Sequence, residues 1–128
     1  MKKKIIIVVA NYYKDISNGL LSSSKKLLPK SSNLKVIEVP GVFEIPITIK
    51  KNVKKYDAFI ALGCVIKGQT PHFDFISQTS INAIMNLSVE NKKPIGNGII
   101  TCLNFKQAKA RKKKGAEATK AVLSILNQ

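Results

Sequence analysis

The sequence predicts an α/β protein: a three-layer α/β/α sandwich with a four-stranded parallel sheet. Apolar runs recur along the 128-residue chain, and helix-like patterns fall between them. The runs at 4–10 and 57–66 are almost continuously apolar, as expected of strands covered on both faces. Two further strands are predicted at 34–40 and 95–101. Because strands and helices alternate, we expect right-handed crossovers and a parallel sheet within one domain, 1–128.

The first two helical segments are predicted at 15–28 and 41–55. The apolar residues that fall roughly on one face of the first are Ile16, Leu20, Leu21, Leu27 and Leu28. The second segment follows a Pro-Gly turn, and Pro46 should restrict its first turn or kink it. Both segments lie between predicted strands and would therefore form crossovers.

Two more helices are predicted in the second half of the chain. Segment 70–90 should begin with Thr70 as its N-cap and Pro71 as its first helical residue. Its buried face would consist of Phe73, Ile76, Ala83, Ile84 and Leu87. Segment 105–126 should form the last helix, with Gly115 as an interruption.

The net charge of +15 is large and raises the possibility of an anionic partner. The positive charge is almost entirely lysine, scattered along the whole chain, and Arg111 is the only arginine. Proteins that recognise base sequence rely on arginine at base edges. Specific nucleic-acid binding is therefore not favoured, and a solvated surface that steers anionic substrates is.

The cysteines and the N-terminus both favour a cytoplasmic protein. Cys64 and Cys102 lie in or at the end of apolar runs, which fits reduced, buried thiols. The segment "MKKKIIIVVA" imitates a signal peptide, but it is short, lacks a small-residue cleavage site and is typical of a first buried strand. No apolar stretch reaches the roughly 18 residues of a membrane span. One histidine and two separated cysteines give no metal-ligand spacing.

The segment "GQTPH" follows the third predicted strand, at the edge of the sheet where such folds bind ligands. Gly68 would allow close backbone approach, and the amides of 68–70 at a helix start would suit an anion. An ordinary capped turn between strand and helix has the same sequence. His72, the only histidine, could transfer protons near neutral pH or lie idle on the surface.

Three other clusters have similar alternatives. Tyr12 ends the first strand and could stack on a planar heterocycle or serve as half-buried packing. Glu44 could accept hydrogen bonds from a polyol, or simply favour a helix start. Arg111 could clamp a phosphate with its forked guanidinium, or belong to a solvated basic helix face.

Together these clusters give the chain a clear family resemblance. The segments "VPGVFEIP", "YDAFIALGCVIKGQTPHFD" and "KGAEA" occur in this order, and the match extends over almost the whole chain. In these segments the sequence resembles the lumazine synthases of riboflavin biosynthesis. The resemblance implies a flavodoxin-like sheet with strand order 2-1-3-4 and a transferase that needs no cofactor or metal. A non-catalytic flavin- or pyrimidine-binding relative is the alternative.

The resemblance also implies a reaction between two small molecules. The family condenses 5-amino-6-(D-ribitylamino)uracil with 3,4-dihydroxy-2-butanone 4-phosphate, giving 6,7-dimethyl-8-ribityllumazine, phosphate and water. The amine attacks the ketone to form an imine, phosphate is eliminated, and the ring closes. Such a site needs a proton shuttle and a phosphate cradle.

Site residues follow from the same resemblance, by position. His72 takes the place of the proposed general acid/base. Substrate-binding roles are implied for Tyr12 on the pyrimidine ring, Val42, Phe43 and Glu44 on the ribityl chain, Val65 and Ile66 beside the heterocycle, Gly68, Gln69 and Thr70 around the phosphate, Asn97 in the pyrimidine pocket, Arg111 on the phosphate and Lys114 in the final helix.

The resemblance further implies a homo-oligomer, a pentamer or a multiple of pentamers, with sites between subunits. Residues from 97 onward would come from the adjacent chain. One departure bears on this arrangement: only two residues separate Arg111 from Lys114, where the family has several more. Arg111 could be displaced, with Lys112 or Lys113 taking part of its role.

Overall fold

The computed structural model describes residues 3–30 and 32–128. Its four strands are β1 (Lys4–Ala10), β2 (Asn33–Val39), β3 (Ala58–Ile66) and β4 (Ile95–Cys102). They form one sheet in the order β2-β1-β3-β4, and every neighbouring pair is parallel. The expected order 2-1-3-4 is confirmed, and no strand end differs from the prediction by more than one residue.

Helices cover both faces of the sheet, so the predicted three-layer α/β/α sandwich is confirmed. The elements between and after the strands are α1 (Lys14–Lys26), a 3₁₀ turn (Val42–Glu44), α2 (Ile45–Asn52), α3 (His72–Asn91), α4 (Phe105–Lys109) and α5 (Lys114–Leu126). Helices α1 and α5 pack on one face, and α2 and α3 on the other. No helix within 3–30 and 32–128 is long and apolar enough to cross a membrane.

The apolar run of β1 is continuous because alternate residues enter two separate cores. Ile5, Ile7 and Val9 pack against α1 and α5, and their neighbours Ile6 and Val8 pack against α2 and α3. All five side chains are buried. The N-terminal segment that was interpreted as a strand therefore forms the centre of the sheet from Lys4 onward. Met1 and Lys2 lie outside the described residues.

The predicted helix 41–55 is divided into the 3₁₀ turn and α2. Pro46 lies in the first turn of α2, where a missing backbone N–H breaks no helical hydrogen bond. The prediction that Pro46 restricts this turn is consistent with the helix beginning at Ile45. The 3₁₀ turn before it leaves Val42–Glu44 at the carboxyl end of β2.

The predicted start of α3 is wrong by one position. The helix begins at His72, and Pro71 rather than Thr70 is its N-cap residue. The Pro71 carbonyl already accepts the N–H groups of Asp74 (3.1 Å) and Phe75 (3.2 Å). Thr70 Oγ1 accepts the His72 N–H only at 3.4 Å, so this threonine is a weak cap.

The last helical segment is also interrupted elsewhere than predicted. The break covers residues 110–113, and Gly115 lies inside α5. A Cβ at Gly115 would collide with the Leu20 carbonyl of α1. Glycine is therefore required for the close approach of two helices, which Ser24 and Thr119 reinforce by a buried hydroxyl–hydroxyl hydrogen bond of 2.6 Å.

Candidate active site

Most of the residues predicted to form a site divide between two clefts, and the exceptions are Gly68, Gln69 and Thr70. The first, which we call the aromatic cleft, has a volume of about 540 Å³ and lies at the carboxyl ends of β1 and β3. It is lined by Tyr12, Tyr13, Gly41, Val42, Phe43, Glu44, Cys64, Val65, Ile66, His72 and Ile76. The second, which we call the basic cleft, has a volume of about 520 Å³. It is lined by Ile81, Asn97, Ile99, Ile100, Thr101, Ala110, Arg111, Lys113, Lys114 and Glu117.

One wall of the aromatic cleft consists of two adjacent tyrosines directly after β1. Tyr12 is 75% exposed, whereas Tyr13 is half-buried. Their rings meet edge to face, with centroids 4.9 Å apart and an interplanar angle of 82°. Because an edge-to-face pair leaves at least one face of each ring uncovered, Tyr12 can still stack on a planar molecule.

A second wall of the aromatic cleft is the 3₁₀ turn after β2. Val42 is buried and anchors the turn, while Phe43 is exposed and Glu44 half-buried. Gly63 of β3 makes this packing possible, because a Cβ there would lie 2.7 Å from Val42 Cγ2. Within 3–30 and 32–128 Glu44 forms no ion pair, so its carboxylate oxygens can accept hydrogen bonds from hydroxyl groups.

His72 enters the aromatic cleft from the first residue of α3. It lies exposed beside the end of β3, which contributes Val65 and Ile66. The predicted anion loop, Gly68–Thr70, is exposed next to His72 but lines neither cleft. A Cβ at Gly68 would meet nothing within 4 Å, so packing within this chain does not demand glycine there.

Cys64 lines the aromatic cleft, and its position was not foreseen as part of a site. Burial raises the pKa of its thiol to about 12, with Cys102 adding to the shift. Such a thiol stays protonated at neutral pH and is a poor nucleophile and proton acceptor. Both cysteines are buried and free, as the sequence predicts. His72 is therefore the group in this cleft suited to proton transfer near neutral pH.

The basic cleft lies between β4, α3 and the start of α5. Asn97, Arg111 and Lys114, all predicted site residues, line it together. The Asn97 side chain also has a structural task, since its Oδ1 accepts the Ile99 N–H at 3.1 Å on the outer edge of the sheet. Burial raises the pKa of Cys102, and the Arg111 charge opposes this shift, which places the guanidinium near the end of β4.

The structure distinguishes the two lysines between Arg111 and Lys114. The aliphatic stem of Lys112 lies against Gly19 of α1, and its carbonyl accepts the Ser23 hydroxyl at 2.7 Å. Ser23 Oγ also accepts the Ala116 N–H at 3.1 Å, so one side chain joins the end of this turn to the first turn of α5. Lys112 does not line the basic cleft, whereas Lys113 does.

The charges of the basic cleft favour an anion. Lys114 pairs loosely with Glu117 at 3.8 Å, and both side chains are substantially exposed. Arg111 and Lys113 form no ion pair in the part of the chain that the structure describes. Three cations and one carboxylate therefore leave two net positive charges. Glu117 was not predicted, but its spacing of three residues from Lys114 on a helix places both on one face.

In the described ranges, no cluster of three or more His, Cys, Asp or Glu side chains could hold a metal ion. Of the predicted residues, the structure brings together Tyr12, Val42, Phe43, Glu44, Val65, Ile66 and His72 in one cleft, and Asn97, Arg111 and Lys114 in the other. The two clefts share no lining residue.

Comparisons with known proteins agree with the motifs. The family model described as 6,7-dimethyl-8-ribityllumazine synthase matches residues 2–128. A protein of that name from Bartonella bacilliformis is 44% identical over 116 residues, covering 87% of this chain and 76% of the relative. One from Agrobacterium fabrum is 41% identical over 138 residues, covering 98% and 93%. 6,7-Dimethyl-8-ribityllumazine synthase 1 from Rhodopseudomonas palustris is 41% identical over 136 residues, covering 96% and 83%. A match of this length and identity means that the chain belongs to the 6,7-dimethyl-8-ribityllumazine synthase family.

Proposed function

We propose that this protein is a transferase that condenses 5-amino-6-(D-ribitylamino)uracil with 3,4-dihydroxy-2-butanone 4-phosphate. The product is 6,7-dimethyl-8-ribityllumazine, and phosphate and water are released. The observation that carries this proposal is that Tyr12, Glu44 and His72, which are far apart in sequence, line one cleft in a member of this family. Their aromatic ring, carboxylate and imidazole are the groups that a planar polyol substrate and its proton transfers require.

The aromatic cleft holds the pyrimidine substrate. Tyr12 stacks on the planar ring, whose edge lies against Val65 and Ile66 at the end of β3. The ribityl chain extends along the 3₁₀ turn, where Val42 and Phe43 provide apolar contact and Glu44 accepts hydrogen bonds from hydroxyl groups. This assignment is supported by the volume of the cleft and by the unpaired Glu44 carboxylate within the described residues.

His72 moves the protons of the reaction. Attack of the substrate amine on the ketone gives a carbinolamine, and a proton must reach its hydroxyl group before water can leave. Loss of a proton from carbon then drives phosphate elimination. An imidazole can give and accept protons near neutral pH, so one group serves both steps. Its position between the open cleft and the exposed Gly68–Thr70 loop supports this role.

The phosphate group of the second substrate is bound by the basic cleft. Arg111 offers a forked pair of donors, and Lys113 and Lys114 add charge. Two net positive charges match a phosphate monoester, which is largely a dianion at neutral pH. The amides of Gly68, Gln69 and Thr70, at the start of the 20-residue α3, face the same group from the neighbouring chain.

The separation of the clefts supports a homo-oligomer. A complete site needs the pyrimidine pocket and the phosphate cradle together, yet one chain presents them as two clefts without a common residue. In a closed ring, the basic cleft of each subunit, with Asn97, would face the aromatic cleft of the next. Several exposed apolar side chains favour such contacts: Phe43, Ile47, Phe75, Met85 and Val89. We infer a pentamer or a multiple of pentamers, and a cytoplasmic location for its free, buried cysteines.

A turnover assay tests the proposal. Incubation with both substrates should produce lumazine absorbance and one phosphate for each lumazine, and the mass in solution should match a multiple of five chains. No product at high enzyme concentration, from protein shown to be folded, would refute the activity. Tight riboflavin binding without turnover would instead identify a non-catalytic relative.

A further inference from the structure

The ring of Tyr12 receives little support from the body of the protein. It is 75% exposed, and it lies outside the sheet, two residues after Ala10, the last residue of β1. A stacking side chain that rotates freely must lose that freedom when a ligand binds, which weakens binding. Any contact that holds the ring in place beforehand should therefore raise affinity for the stacked molecule.

Tyr13 provides such a contact. Within 3–30 and 32–128 it is the aromatic residue that meets Tyr12, at a centroid distance of 4.9 Å and an angle of 82°. This edge-to-face geometry is one of the two that aromatic quadrupoles favour. It restricts the Tyr12 ring while leaving one of its faces open to the cleft.

Tyr13 is itself held from several sides. Its carbonyl accepts the Ser17 N–H at 2.9 Å at the start of α1, and its half-buried ring packs against the core beneath α1 and α5. Phe105 of α4 lies behind it, with ring centroids 6.4 Å apart. The Lys109 Nζ, 5.0 Å from the Phe105 centroid, covers that ring in turn. The three rings form a continuous path from α4 to the cleft.

We propose that Tyr13 is a positioning residue that, backed by Phe105, orients Tyr12 for stacking on the pyrimidine substrate. The inference rests on the proposed function, because it takes the ligand of Tyr12 to be that substrate. It assigns Tyr13 no contact with the butanone phosphate, whose cradle lies in the other cleft.

The ring of Tyr13, rather than its hydroxyl group, should carry the effect. Burial raises the pKa of this phenol, followed by the influence of Tyr12 and Cys64, so the hydroxyl stays protonated at neutral pH. No hydrogen bond from it is found within the described residues. Removing the hydroxyl group alone should therefore matter little.

Steady-state kinetics with each substrate varied in turn test the proposal. Tyr13→Leu should raise the KM for the pyrimidine substrate about fivefold, the effect of losing one edge-to-face pair. The KM for the butanone phosphate and kcat should stay within twofold of wild type, roughly the scatter expected of distant changes. Tyr13→Phe, which keeps the ring and removes only the hydroxyl group, should retain the wild-type KM for the pyrimidine substrate. Phe105→Leu should also raise the KM for the pyrimidine substrate, but by less. This variant replaces Tyr13→Leu in the test if Tyr13→Leu folds poorly.

Tyr56→Leu is the matched control. Tyr56 is also half-buried and edge-on to a phenylalanine, Phe59, at 6.5 Å, but it precedes β3 at the opposite end of the sheet. Tyr56→Leu should change the KM of neither substrate. An equal rise in both KM values for Tyr13→Leu, or no rise in either, would overturn the inference. Tyr12→Leu distinguishes a failure of the proposed pyrimidine site from a failure of the role of Tyr13. If Tyr12→Leu does not raise the KM for the pyrimidine substrate, the proposed site itself is contradicted. If Tyr12→Leu raises this KM and Tyr13→Leu does not, only the role of Tyr13 is contradicted.

Discussion

The aromatic and basic clefts differ in how the chain supports them. The aromatic cleft is built on strand ends and on Val42, which is fixed against the sheet. The basic cleft also has a wall from β4 and α3, but its cations come from an exposed turn, residues 110–113, and from Lys114 at the start of α5. The first cleft is therefore shaped by the packing that stabilises the fold, whereas the charge of the second comes from side chains outside the core. Substitutions of these cations should alter substrate use with little effect on stability.

Arg111→Ala should have the largest effect. A forked, charge-assisted hydrogen-bond pair to phosphate is lost, and kcat/KM for the butanone phosphate should fall roughly 100-fold. The KM for the pyrimidine substrate should change little, because that substrate lies in the aromatic cleft. The melting temperature should stay near that of wild type. A fall shared equally by both substrates would remove the functional distinction between the clefts.

His72→Ala should have the next largest effect, of a different kind. We expect kcat to fall about 10-fold with both KM values nearly constant, since proton transfer is slowed and binding is not. The loss lies below the roughly 100-fold or more typical of general acid/base groups because the uncatalysed condensation is chemically accessible. Measuring kcat at saturating concentrations of both substrates tests this. If Arg111→Ala and His72→Ala were both without effect, neither assigned role could stand.

Mixed oligomers test whether the clefts of different subunits combine. Neither Arg111→Ala nor His72→Ala chains alone form an intact site. In randomly mixed rings, about one quarter of the sites would combine an intact aromatic cleft with an intact basic cleft from the next subunit. Co-expression should then give about fivefold more activity than the mean of the separate variants, assayed at low butanone phosphate. Activity equal to that mean would show that each chain supplies its whole site.

Lys113→Gln, with Lys112→Gln as its control, should give the smallest effect. Each substitution removes one positive charge, and the two residues are adjacent, but only Lys113 lines the basic cleft. Lys113→Gln should raise the KM for the butanone phosphate about threefold, as expected of one exposed charge interaction. Lys112→Gln keeps most of the stem over Gly19 and should leave this KM unchanged. Equal effects would show that general positive potential matters, rather than the local cradle.

The fold was largely predictable because the strands of a buried parallel sheet appear in the sequence as continuous apolar runs. In β1 and β3 nearly every residue is apolar, since both faces are covered. Helix ends were harder, because they depend on contacts between distant segments. Gly115 resembles a helix interruption, but its role is to let α5 approach Leu20 of α1. No local pattern near Gly115 contains that information.

The structure bears on how the predicted site residues are grouped. The motifs named Tyr12, Glu44 and His72, and the structure brings all three into one cleft. Residues from 97 onward, which the resemblance assigns to the adjacent chain, line a separate cleft beside β4, the edge strand of the sheet. The choice between Lys112 and Lys113 depends on Ser23 and Gly19, about ninety residues earlier in the chain.

Ser23 has a consequence for how this enzyme could change. Its hydroxyl group holds the turn before α5 through the Lys112 carbonyl and the Ala116 N–H, both main-chain groups. These contacts hold the main chain at the end of the turn without using the side chain of Lys113. A substitution of Lys113 should therefore change the charge that the basic cleft offers to an anion while Ser23 keeps its two main-chain contacts.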